Sequence, residues 1–96
     1  MTVKEQLEAW FQDRESSLIE AVSRLVRIDS TLGEASPGQP FGPGPAAALK
    51  EFLSISAEWG LPGEDLDGYV GVVDLGDKPD ALHILGHLDV VPAGEG

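Results

Sequence analysis

Ile84–Gly96 reads ILGHLDVVPAGEG, an apolar run that carries His87 and Asp89 two residues apart and then breaks into Pro and Gly. With the residues before it, ALHILGHLDV (81–90) predicts a β-strand. Residues two apart on a strand share a face, so His83, Leu85, His87 and Asp89 point one way. Leu82, Ile84, Gly86, Leu88 and Val90 then form a core-facing set on the other side. Pro92 lacks a donor and ends the pairing. His87 and Asp89 are thereby expected at the C-terminal end of a strand, beside an irregular loop, where α/β proteins often keep active-site residues.

Working back along the chain, YVGVVDLG (69–76) is Val-rich and bounded by Gly, and it predicts another strand. GDKPD (76–80) is a turn of hairpin length, so the two strands are expected to pair antiparallel. PGEDLDG (62–68) reads as the turn before them. AAALKEFLSISAEWGL (46–61) has helical spacing in Leu49, Phe52, Leu53, Ile55 and Trp59, with Pro45 suited to the first turn and Gly60 to the stop. DSTLGEASPGQPFGPGP (29–45) predicts a long loop, of a length usually tied to function or mobility. The first segment (2–28) opens with Thr2 and Glu5 at capping-box spacing. Its stripe of Leu7, Trp10, Phe11, Leu18, Ile19, Val22, Leu25 and Val26 predicts a core-facing helix, with a bend expected near Asp13–Ser16. No internal repeat is evident.

The order is helix, loop, helix, strand, strand, an α/β pattern. Most sheets hold four to six strands. An apolar second strand therefore predicts sheet neighbours beyond these 96 residues. A net charge of −11 argues against nucleic acid and against anionic membrane surfaces. No window approaches the roughly 20 apolar residues of a membrane span. No Cys is present, which removes disulfides and thiolate metal sites. Met1–Trp10 is charged from Lys4 onward and does not read as a signal peptide, so a cytoplasmic location is expected.

The chemistry available to His87 and Asp89 is specific. A neutral imidazole is a common zinc ligand, and a nearby carboxylate can fix its orientation and raise its basicity. A zinc site needs three or four protein ligands, and the bare His-x-Asp pair also suits a surface His with an Asp capping the next turn. His83 does not complete a site. At the usual rise per residue it stands about 13 Å from His87 on a strand. The acidic run GEDLDGYVGVVDLGDKPDA lacks the order of an EF-hand loop, and PGQPFGPGP lacks the Gly-Lys-Ser/Thr of a phosphate loop.

The surrounding residues add a resemblance. ILGHLDVVPAGEG resembles the first metal-ligand motif of the M20 family of metallopeptidases, an apolar strand followed by Gly-His-x-Asp-x-Val-Pro. LVRIDST (25–31) is similar to the family's stretch at the end of the first helix, with Asp29 where Pro is usual. PFGPGPAAALKEFLSISAEWGL and DLDGYVGVVDLGD resemble the loop, second helix and first strand of its dipeptidase branch, the PepV-like or Sapep group.

That resemblance implies the N-terminal part of a zinc-peptidase-like α/β/α sandwich, two helices then a β-hairpin, incomplete in residues 1–96. His87 would be a ligand to one of two zinc ions, with manganese as the alternative metal. Asp89 would be the catalytic-site residue that orients the imidazole. The other ligands and the general-base Glu of the family would lie downstream, and a second domain would close over a dipeptide or short-peptide substrate. The 96-residue piece alone is expected to bind zinc weakly and to lack peptidase activity. Two other readings stand beside it: a related amidohydrolase acting on N-acyl amino acids, and a non-catalytic acidic binding module.

Overall fold

Thr2 supplies the first structural signal. Its Oγ1 accepts the Glu5 N–H at 3.1 Å and starts α1, Val3–Val26. In the computed structural model, which describes residues 1–95, α1 runs without interruption through Asp13–Ser16, where a bend was expected. Gly96, the last residue of the ILGHLDVVPAGEG stretch, lies outside the described residues. The helix α2 spans Pro43–Glu58, with proline in its first turn as its composition predicts. It ends in a Schellman arrangement: Gly60 has φ 82°, its N–H donates to Ala57 O, and Leu61 N–H donates to Ser56 O.

The loop between the helices is closed on itself. Pro37 and Gly38 (φ 78°) make a turn that pairs Ser36 with Gln39, and Gly33 N–H donates to Phe41 O at 2.9 Å. The loop's tip meets a second turn. β1 (Gly63–Leu66) and β2 (Val70–Val73) pair antiparallel, with Leu66 opposite Val70 and Gly63 opposite Val73. Asp67 and Gly68 both have positive φ, 56° and 79°, as a type I′ turn requires. Phe41 and Tyr69 stack edge-to-face at 5.5 Å across the two turns.

α2 is the central element. Ala48, Leu49 and Ile55 are buried on it. Leu49 and Leu53 lie over Gly71 and Gly63 of the hairpin, so a methyl group added at either glycine would fall within 2.6–2.7 Å of a leucine side chain. Against α1, Arg24 donates to Glu51 at 2.6 Å and to both carboxylate oxygens of Glu58 at 2.7 and 2.9 Å.

Three expectations need correction. Residues 81–90 form no strand, and the observed hairpin lies one segment earlier, with Gly63–Leu66 as a strand rather than a turn. An extended segment becomes a strand only by pairing its backbone groups. Among the described residues Leu82, Ile84 and Leu85 are almost fully exposed. Trp10 and Phe11 are also not in the core. They are about half exposed and stack on each other at 5.0 Å, with the Arg14 guanidinium 4.2 Å over Trp10. At 1.5 Å per residue α1 is about 36 Å long and α2 about 24 Å. Burial on α1 concentrates near Ala21–Leu25, where α2 meets it, and the N-terminal half extends past its partner.

Gly44, in the first turn of α2, gives a test of this packing. A methyl group there would run into the Asp29 carbonyl oxygen and sit 3.3 Å from Ser30 Cα. Within a helix, Gly→Ala normally stabilises by about 0.5–1 kcal/mol. Overpacking costs about 1–3 kcal/mol and decides the sign here. Gly44→Ala is expected to lower the urea midpoint. Gly86→Ala, in open space, is expected to leave it unchanged.

Candidate functional site

The chain leaves α1 through Arg27 and Ile28 and turns sharply at Asp29. Asp29 Oδ1 accepts both the Thr31 hydroxyl at 2.8 Å and the Thr31 N–H at 3.2 Å, a closed Asx turn. The Asp29 carboxyl is held below the usual carboxylate range, first by the Thr31 hydroxyl and then by the Thr31 N–H. Between them Ser30 is 3 % exposed, covered by the first turn of α2 at Gly44.

Ser30 is where residues 81–95 meet the rest of the chain. Its Oγ–H donates to Leu88 O at 3.0 Å, and its carbonyl accepts the Val90 N–H at 3.2 Å. Among the described residues, both hydrogen bonds that join 81–95 to the body go to Ser30. The two bonds bracket Asp89. Leu88, between His87 and Asp89, is half-buried while its neighbours stay exposed.

His87 is 83 % exposed, with its Nδ1 2.9 Å from Asp89 O and 3.5 Å from Asp89 Oδ1. A carbonyl can only accept, so Nδ1 is the donor in this contact and Nε2 makes no hydrogen bond among the described residues. Asp89 meets the imidazole mainly through its main chain, with the carboxylate the more distant acceptor. The ring thus has the form of a single metal ligand, with Nδ1–H satisfied and Nε2 open to solvent. No group of three or more His, Asp or Glu side chains that could hold a metal occurs among the described residues. The donor set therefore fits one ligand of a zinc site and does not close a coordination shell. His83 is exposed and belongs to no such group.

Ser30 and Gly44 did not stand out in the sequence. Asp-Ser-Thr after a helix is a turn signal. Nothing in the pattern tells which of the three hydroxyl or carboxylate groups turns inward.

No protein-family model matches the chain. Curated relatives do. The chain is 37% identical over 98 residues to the Beta-Ala-Xaa dipeptidase of Lactobacillus delbrueckii, covering 100% of this chain and 20% of the relative. It is 36% identical over 85 residues to YtjP of Bacillus subtilis, which carries a dipeptidase name, covering 86% and 18%. A dipeptidase-named protein of Staphylococcus haemolyticus is 37% identical over 87 residues, covering 88% and 19%. The chain thus spans about a fifth of the length of the curated relatives it matches. No helix among the described residues is long and apolar enough to cross a membrane.

Because hydrogen bonding to its charged form lowers the Asp29 pKa, the turn's contribution to stability is complete at neutral pH. It is lost as the pH falls through that lowered value. Acid titration is expected to release the Thr31 amide to exchange below the ordinary carboxylate range. Asp29→Asn, which keeps an acceptor that does not titrate there, is expected to abolish that pH dependence.

Proposed function

We propose that the chain belongs with the dipeptidase-named bacterial proteins that it matches and is part of a metal-dependent dipeptidase of the M20 type. What supports this reading is the match over the whole of this chain to the Beta-Ala-Xaa dipeptidase, together with a His87 ring whose Nε2 is left open. The polypeptide carrying these residues would hydrolyse dipeptides or short peptides in the cytoplasm. Residues 1–96 would supply the first helices of an α/β/α sandwich and one corner of its metal site.

In this proposal His87 binds zinc through Nε2. Asp89 holds the ring by accepting its Nδ1–H and so fixes the tautomer in which Nε2 ligates. When bound, zinc or manganese supplies a Lewis acid and a water of lowered pKa. This chain's own part is to present one ligand at a fixed angle from the end of an extended segment. A lone imidazole makes the 96-residue piece a weak zinc binder without peptidase activity.

Hydrolysis of dipeptides by the full-length polypeptide is the test. Asp89→Asn keeps the main-chain carbonyl that meets Nδ1 at 2.9 Å, so it is expected to lower kcat/KM by less than the about 10–100-fold usual for losing a partner of a ligating His. His87→Ala should cost more than that, and a chelator should abolish turnover. Chelator-resistant hydrolysis, or a His87→Ala enzyme as fast as its parent, would overturn the reading.

A further inference from the structure

In a parallel β-pair, one residue brackets its partner. Its N–H bonds the carbonyl before that partner, and its carbonyl accepts the N–H after it. Ser30 brackets Asp89 in this way with one substitution. Its carbonyl takes the Val90 N–H at 3.2 Å, but the bond to Leu88 O at 3.0 Å comes from the side-chain hydroxyl. We propose that Ser30 is a positioning residue for the His87–Asp89 pair, its hydroxyl acting in place of a backbone donor to set the register of residues 87–90. The inference rests on the metal-ligand reading of His87 above.

Three observations support the assignment. Ser30 is 3 % exposed and yet polar, and its hydroxyl is spent on Leu88 O rather than on its own turn, which Asp29 and Thr31 close without it. Gly44 presses on the Asp29–Ser30 peptide from α2, so the hydroxyl is aimed from a supported backbone. The bonded atoms, Leu88 O and Val90 N, lie on either side of Asp89, and Val90 N shares a peptide group with the Asp89 carbonyl that meets His87 Nδ1. A shift in the bracket moves Asp89 O and turns the imidazole with it. A slip of one residue would reverse every side chain, carrying His87 to the opposite face.

The experiment uses the full-length polypeptide with Zn²⁺ as the probe, its affinity measured by competition with a chromophoric chelator. Ser30→Ala, Ser30→Thr and His87→Ala are compared with the parent, and Val90 amide exchange is followed in each. Ser30→Ala is expected to weaken Zn²⁺ binding by about 10-fold, within the range for partners that orient a ligand. Val90 exchange should quicken with it, and Ser30→Thr, which keeps the hydroxyl, should restore both. A Ser30→Ala protein that binds Zn²⁺ like its parent, while His87→Ala does not, overturns the positioning role and leaves the metal reading intact. Equal loss in Ser30→Ala and Ser30→Thr overturns the assignment to the hydroxyl. Unchanged binding in His87→Ala overturns the metal reading, and the positioning role falls with it.

Discussion

The contact between the first turn of α2 and the Asp29–Ser30 peptide organises this chain. It exists because residue 44 has no side chain: the helix backbone lies where any Cβ would meet the Asp29 carbonyl. Close approach of this kind fixes the end of α1, the start of α2 and the Ser30 side chain at one point. From that point α2 carries the hairpin on Leu49 and Leu53, over two more glycines. The fold is thus a set of elements hung on one helix, with backbone-to-backbone approach substituting for a large core.

The ion pairs between the helices are a second fastening of a different kind. Arg24 bridges Glu51 and Glu58, about two turns apart on one face of α2, and its fork meets both Glu58 oxygens. Glu58 is held below the usual carboxylate range, chiefly by its hydrogen bonds with Arg24. The groups are partly exposed, so solvent and salt screen much of the attraction. The bidentate geometry contributes direction more than energy, setting how α1 crosses α2. Glycine sets the distance between elements here, and Arg24 sets an angle.

Local signals in the sequence were legible where the physics is local. Thr2 with Glu5, proline at the start of α2 and Gly60 at its end each mark a boundary that the structure keeps. The hairpin was misplaced although its signal was present. Asp67-Gly68 before a Val-rich run is a strong two-residue turn, and the longer GDKPD competes with it as a turn signal on the other side of that run. Residues 81–90 have the composition of a strand, but composition supplies no partner, and among the described residues the bonds they make to the body go to Ser30. The dipeptidase resemblance read from the residues agrees with the relatives' names, whereas the inward turn of Ser30 depends on Gly44, 14 residues away in the chain.

The Ser30 bracket also says something about the order of assembly. It joins Ser30 to Leu88 and to Val90, 58 and 60 residues away, the longest closures among the described hydrogen bonds. Once the helices and hairpin are in place, the span left to close is residues 74–87, for which the entropy of closure is about 2 kcal/mol. Two hydrogen bonds return roughly 1–3 kcal/mol. The two quantities nearly balance, so the segment bearing His87 docks last and opens first. Whatever binds the docked form then shifts that balance by mass action, so that ligation and the final step of folding become one equilibrium.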